Sequence, residues 1–335
     1  MDLRTTYLGL DLPHPLMPGA SPLADDLDTV RRLEDEGAAA IVLRSLFEEQ
    51  IRREQLATFL HTEPHGESFA EALCYFPRPE AFALGPEDYI AHLGRVKQAV
   101  GVPVIASLNG TTLGGWLEYG RAIAQAGADA LELNVYSVPC STDEDAPSIE
   151  ARTVELLKTL KASVTIPVAV KLSPFYTSLP HFVKQLERAG ADGLVLFNRF
   201  YQPDIDPESL SLNRDLRLST PAELPLRLQW LALLDDRVSC SLAVTGGVHD
   251  GRDALKAVMA GADAVQLVSA LLRHGPGRLG AVLAEMIDWL EEHEYASLAQ
   301  MKGSMSRASC PDPTVYERAN YMLTLQGDRS SLAWR

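Results

Sequence analysis

Three asparagines and one lysine in this chain are notable for where they fall. Asn109 closes Ala106-Ser107-Leu108-Asn109, Asn134 closes Leu131-Glu132-Leu133-Asn134, and Asn198 closes Val195-Leu196-Phe197-Asn198. Lys171 stands in Val168-Ala169-Val170-Lys171-Leu172-Ser173. Each sits at the end of a short apolar run of the kind that forms a strand buried on both faces. An amide offers donor and acceptor together, which suits a planar ring with alternating C=O and N–H groups. A single asparagine after a strand reads as a turn residue; three in corresponding places point to a ligand. A lysine near the end of a buried strand is unfavourable unless it faces a site and has a partner. Two roles are open to Lys171: holding the electron-rich edge of a bound ring, or pairing with Glu132 inside the sheet.

A second constellation would suit phosphate. Val244-Thr245-Gly246-Gly247-Val248 ends one apolar run, and its two glycines let backbone N–H groups approach an anion closely. A helix starting near Gly251 would point its positive end the same way. The last run ends Leu267-Val268-Ser269-Ala270, again with small residues. Barrels bind phosphate between their last two strand-to-helix loops. A tight turn with close helix packing is the structural alternative. His249, after the glycine pair, and His61 and His65 read as loop or surface residues. There is no His-Glu-x-x-His, no Walker loop and no Cys-x-x-Cys pair, so no metal site is expected.

These residues need a frame that gathers strand ends. Eight candidate strands run along the chain: Leu16–Ala20, Ala39–Ser45, Val102–Leu108, Ala130–Val135, Val168–Leu172, Gly193–Asn198, Leu242–Thr245 and Ala264–Val268. Helical spacing recurs between them, as in Tyr89–Val100, Trp116–Ala126, Ala151–Ala162, Phe182–Ala189 and Arg252–Ala260. Strand and helix in alternation predict a parallel sheet. Ala126-Gly127-Ala128-Asp129 recurs as Ala189-Gly190-Ala191-Asp192 and as Ala260-Gly261-Ala262-Asp263, with a looser copy at Glu36-Gly37-Ala38-Ala39. A repeat at several helix-to-strand junctions fits a closed barrel better than an open sheet, and no G-x-G-x-x-G opens the first unit. The expected fold is α/β, a (β/α)8 TIM barrel over residues 1–303 with a C-terminal tail over 304–335. Long loops are expected after the second and sixth strands, over Phe47–Glu87 and Tyr201–Ser219, on the face where barrel enzymes do chemistry.

The 335 residues carry a formal net charge of -15, which argues against a nucleic-acid partner. Cys74, Cys140, Cys240 and Cys310 are far apart and read as reduced thiols of a cytoplasmic protein. No apolar segment long enough for a membrane span is seen, and the start lacks the apolar region of a signal peptide.

Taken in order, the motifs resemble the dihydroorotate dehydrogenase family, especially its soluble class 1 members. The likeness runs from about Pro15 to about residue 303. It rests on Pro18-Gly19-Ala20-Ser21, Leu43-Arg44-Ser45, Glu132-Leu133-Asn134, Val170-Lys171-Leu172, Thr245-Gly246-Gly247-Val248 and Val265-Gln266-Leu267. The resemblance implies non-covalent FMN. Ala20 and Ser21 would lie along its ring; Asn109, Asn134 and Lys171 would contact the flavin and its substrate side. Arg44, Ser45 and Thr245 would complete the cofactor set, and Gly246, Gly247, Ser269 and Ala270 would take the phosphate. Asn134 and Asn198 would hold a dihydropyrimidine-like substrate. The family oxidises dihydroorotate to orotate in pyrimidine biosynthesis: a base on the loop after the fourth strand removes a proton, and hydride passes to the flavin.

Several positions depart from the family pattern. Its Asn-Leu-Ser-Cys-Pro-Asn run is replaced by Asn134-Val135-Tyr136-Ser137-Val138-Pro139-Cys140, which leaves Ser137 or Cys140 as the base. Arg44 replaces a lysine. The Asn-x-Met-Gly-Leu-Pro-Asn substrate loop has no counterpart; Cys74-Tyr75-Phe76-Pro77-Arg78-Pro79 stands near its place. Leu218-Ser219-Thr220-Pro221 stands where a glycine-rich segment belongs. The cofactor site is therefore expected to survive with an altered substrate. The resemblance also implies a homodimer, and without a cysteine cluster any iron–sulfur route needs a separate electron-transfer partner. Two other functions remain open: a flavin-free phosphate-binding lyase or isomerase using Lys171, and a non-catalytic subunit of a redox complex.

Overall fold

The structure, a computed structural model, describes residues 1–52, 85–114, 117–213 and 215–326. An antiparallel hairpin opens it, β1 (Thr5–Tyr7) against β2 (Leu10–Leu12). Then come the parallel strands β3 (Leu16–Pro18), β4 (Ile41–Phe47), β5 (Val104–Asn109), β6 (Ala130–Asn134), β7 (Val168–Leu172) and β8 (Gly193–Leu196). A second hairpin, β9 (Asp204–Asp206) with β10 (Ser211–Asn213), interrupts the series. Strands β11 (Ser241–Thr245) and β12 (Ala264–Leu267) complete it.

The eight parallel strands follow the order β3-β12-β11-β8-β7-β6-β5-β4. Ala39 N–H donates to Leu16 C=O at 3.0 Å across the remaining seam, so the sheet curls into a nearly closed (β/α)8 barrel. The helices between strands are α1 (Leu27–Asp35), α2 (Pro86–Ala99), α3 (Glu118–Gln125), α4 (Ala146–Ser163), α5 (Leu179–Arg188), α6 (Leu224–Leu234) and α7 (Gly251–Met259). After β12 come α8 (Ser269–His274) and α9 (Gly277–Glu292). All eight expected strands are present. Most of the expected loop after the second strand lies outside the described residues, and the loop after the sixth contains the β9–β10 hairpin.

Side chains alternate across a strand, and the alternation builds the barrel in layers. In β6, Leu131 and Leu133 face the helices, while Ala130, Glu132 and Asn134 rise in turn up the barrel interior. In β7, Val168 and Val170 face outward and Ala169 and Lys171 inward. The lowest inner layer is apolar: Met17, Ile105, Ala130, Ala169, Val195 and Ala243 pack with Tyr7, Leu8 and Leu12 of the opening hairpin. The hairpin thus plugs the N-terminal end of the strands, and Leu8 N–H donates to Ser241 Oγ at 3.0 Å. Above that layer the interior is polar, with Ser107, Glu132, Lys171 and Gln266 all buried.

The repeated Ala-Gly-Ala-Asp has a mechanical role. In each full copy the glycine adopts a left-handed φ just after a helix, +94° at Gly127, +98° at Gly190 and +116° at Gly261. The aspartate then clamps the preceding strand. Asp129 Oδ2 accepts from Val104 N–H at 2.7 Å, Asp192 Oδ2 from Val168 N–H at 2.7 Å, and Asp263 Oδ2 from Leu242 N–H at 2.8 Å. Each also pairs with a lysine: Lys97, Lys161 and Lys302 respectively. The looser copy lacks the aspartate and falls at the seam.

Beyond residue 303 the chain packs back on the barrel helices. Met305 N–H donates to Met259 C=O at 2.9 Å, Arg307 N–H donates to Ala232 C=O at 2.9 Å, and Ser306 is buried. A final helix, α10 (Arg318–Gln326), exposes Tyr321, Met322, Leu323 and Leu325. Among the described residues no helix is long and apolar enough to cross a membrane.

Candidate functional site

A cavity of about 460 Å³ opens where the strands end. Its wall brings together Ala20 and Ser21 after β3, Arg44 and Ser45 of β4, Asn109 of β5, Asn134 of β6 and Lys171 of β7. Asn198 after β8, Thr245 and Gly246 at the end of β11, and Ser269 after β12 complete the expected set within it. Gly247 and Ala270 adjoin that wall in sequence without lining the cavity, and Ala270 is fully buried.

Lys171 pairs with Glu132 and also faces the cavity. Its Nζ lies 3.1 Å from Glu132 Oε1 inside the barrel. Glu132 Oε2 accepts from Gln266 Nε2 at 2.7 Å, so both carboxylate oxygens are engaged. A buried pair of this kind is favourable only when hydrogen bonds satisfy what the ion pair leaves over. Above it, Asn198 Nδ2 donates to Asn134 Oδ1 at 2.5 Å. That bond fixes the two amides and leaves the Asn134 NH2 and the Asn198 carbonyl oxygen as a donor and an acceptor for a ligand.

The β4 side is held from beneath. Ser45 Oγ and Ser107 Oγ are 2.7 Å apart, and the Tyr89 hydroxyl accepts from Ser107 N–H at 2.9 Å. Burial pushes the Tyr89 phenol well above its ordinary range, so it stays protonated. Arg44 pairs with Asp25 at 3.1 Å; burial raises the Asp25 carboxyl against the pull of that guanidinium. Ser21 Oγ and Gln266 Oε1 are buried without a hydrogen-bond partner among the described residues.

At the other end, Gly246 and Gly247 have φ of +86° and +85°, a backbone that side chains disfavour. A Cβ on Gly247 would come within 2.6 Å of Leu224 N, so the turn can press against the start of α6 only as glycine. Gly247 N–H donates to Ser219 Oγ at 3.2 Å, and Ser219 Oγ–H donates to Ser269 Oγ at 2.8 Å.

Ser137 and Cys140 stand apart from this cavity. Ser137 is half-buried and lines an adjoining cavity of about 250 Å³ with Phe175, Tyr176 and Phe200. Cys140 is exposed, its thiol 3.2 Å from Val138 C=O. From the same segment it is Tyr136 that reaches the main cavity.

Sequence reasoning passed over Arg199, Ser219 and Arg227. Arg199 Nη1 lies 2.8 and 2.7 Å from the two Glu223 oxygens, with its guanidinium carbon 5.7 Å from the centre of the Tyr201 ring. Burial pulls the Glu223 carboxyl up, but the hydrogen bonds and charge of Arg199 outweigh it and hold the group below its ordinary value. Arg227 is the lone charge in Leu224-Pro225-Leu226-Arg227-Leu228-Gln229-Trp230-Leu231, the one sequence signal that could have drawn attention to it.

The family model for dihydroorotate dehydrogenase matches residues 83–290, more than half of the chain. The chain belongs to the dihydroorotate dehydrogenase family. It is similar to the dihydroorotate dehydrogenase B (NAD(+)) catalytic subunit of Thermoplasma acidophilum, 25% identical over 312 residues that cover 90% of this chain and 98% of the relative. The protein of the same name from Methanocella arvoryzae is 30% identical over 275 residues, covering 78% and 85%. Set against the dihydroorotate dehydrogenase pattern, the cavity keeps the asparagine and lysine positions. The place of the family's substrate loop, near residues 74–79, lies outside the described residues.

Proposed function

We propose that this chain is an FMN-dependent oxidoreductase acting on a CH–CH bond of a dihydroorotate-like cyclic amide. The observation that carries the reading is that Asn109, Asn134, Lys171 and Asn198 line one cavity with Gly246 and Ser269 at its edge. Its volume falls within the ~300–1,000 Å³ usual for small-molecule and cofactor sites. The residues fit a flavin: Ser21 Oγ is orphaned on the cavity wall, and Arg227, Ser219 and Ser269 gather donors beside Gly246 at the anion end.

Bound FMN would supply the acceptor for two electrons. The chain's own groups would do the rest. Lys171, oriented by Glu132, would hold negative charge developing on the ring. The Asn134–Asn198 pair would present a donor and an acceptor to the substrate amide and set its face toward the cofactor. A proton acceptor would come from residues 135–140, and Ser137 is the better placed of the two expected groups, being half-buried and three residues beyond Asn134. Arg199, paired with Glu223, stands beside Asn198 in the cavity wall, where the two would help decide which dihydropyrimidine is accepted.

The similar relatives are named as catalytic subunits, which supports a separate electron-transfer partner for this chain as well. A homodimer in the cytoplasm completes the proposal. Steady-state turnover of dihydroorotate and other dihydropyrimidines with a chemical electron acceptor tests it. Turnover of at least one is expected; failure with all of them, in a protein that holds flavin, would overturn the substrate class.

A further inference from the structure

The cations of the cavity wall do not all have counter-ions. Arg44 is paired with Asp25, Lys171 with Glu132 and Arg199 with Glu223. Arg227 forms no ion pair among the described residues, although it lies nearly fully buried on the first turn of α6, 6% exposed. Its hydrogen-bond acceptors are neutral: Nε donates to Thr245 C=O at 3.1 Å and Nη1 to Glu223 C=O at 2.8 Å. Glu223, the nearest carboxylate in sequence, is already committed to Arg199. Two guanidinium groups therefore share one carboxylate, and this end of the cavity carries an excess positive charge. Burying such a charge is costly unless a ligand brings the balancing one.

The surroundings say where that ligand group belongs. Arg227 Nη2 lies 3.1 Å from the point a Cβ on Gly246 would take, so the guanidinium is set against bare glycine backbone. Ser269 Oγ accepts from Ser219 N–H at 2.9 Å and from Ser219 Oγ–H at 2.8 Å, which leaves its own proton to donate. Ser219, Arg227, Gly246 and Ser269 all line the cavity. Ser219 falls in Leu218-Ser219-Thr220-Pro221, the segment that stands where the family pattern is glycine-rich.

We propose that Arg227, supported by Ser219 and Ser269, is the phosphate-binding group of this site, and that a guanidinium here does the work of the Gly247 and Ser219 N–H groups, which the serine hydroxyls already engage. The inference rests on the flavin reading above and assigns the phosphate monoester of FMN to the α6 end of the cavity. It follows that the site selects the phosphorylated flavin over uncharged riboflavin through one side chain.

The test is a binding titration. Flavin is stripped from the purified protein, and FMN and riboflavin are titrated back while flavin fluorescence is followed, for the wild type, Arg227→Gln and Arg227→Lys. Losing a charge-assisted hydrogen bond predicts that Arg227→Gln weakens FMN about 10- to 100-fold and riboflavin less than about twofold, with Arg227→Lys in between. Equal weakening of both flavins would overturn the proposal, because the guanidinium would then only brace Thr245 and Glu223. Unchanged FMN affinity would overturn it too. A wild type that binds neither flavin would defeat the flavin reading itself, and this inference with it.

Discussion

At the scale of single residues, the site depends on how its charges are compensated. Glu132 is fully buried and holds Lys171 with one oxygen and Gln266 with the other. Lys171→Met leaves that carboxylate buried without a cation, which costs about 3–5 kcal/mol. Urea unfolding should show a loss of that size, and adding Glu132→Gln should restore at least half of it by removing the stranded charge. Equal midpoints for the single and double variants would show that the pair is not what holds this layer. The proton acceptor is the second question at this scale. Removing a general base typically lowers turnover about 10²- to 10⁴-fold, so Ser137→Ala should do so while Cys140→Ala stays near wild type. The reverse pattern would move the role to the thiol. The asparagines and Lys171 were legible from sequence because each falls at or beside the end of an apolar run. Arg199 and Arg227 were not, since their importance lies in which carboxylates surround them, and that is settled only when β8, α6 and β11 come together.

At the scale of elements, the fold is written in the helix-to-strand junctions. The aspartate of each full Ala-Gly-Ala-Asp copy takes the first or second N–H of the preceding strand, and a lysine takes its charge. Asp192→Ala removes both the bond from Val168 N–H and the pairing with Lys161. A hydrogen bond to a charged group is worth about 1.5–3 kcal/mol, so a loss in that range is expected in thermal unfolding; a loss under about 0.5 kcal/mol, the size of an ordinary surface change, would contradict the clamp. The repeat and the apolar runs placed all eight barrel strands, with ends displaced by up to two residues. The short hairpins escaped, because strands of three residues such as Thr5–Tyr7 and Asp204–Asp206 offer too little alternation to read. Pro86–Ala99 begins before its expected start because proline suits the first turn of a helix, where no N–H is needed.

At the scale of the whole molecule, the barrel is plugged at one end and opens into the cavity at the other. The opening hairpin seals the N-terminal ends of the strands with Tyr7, Leu8 and Leu12, and the polar layer above it supports the cavity. Residues 303–307 tie back to α6 and α7, so the chain beyond the barrel braces the same helices that frame the anion end. The central claim is that this cavity holds a flavin that a dihydropyrimidine can reduce. The most direct measurement is the visible absorption spectrum of the purified protein, recorded before and after adding dihydroorotate without oxygen. The account predicts flavin bands, displaced from those of free FMN by the protein, that bleach with dihydroorotate or another dihydropyrimidine. A protein that stays colourless after incubation with FMN would contradict it.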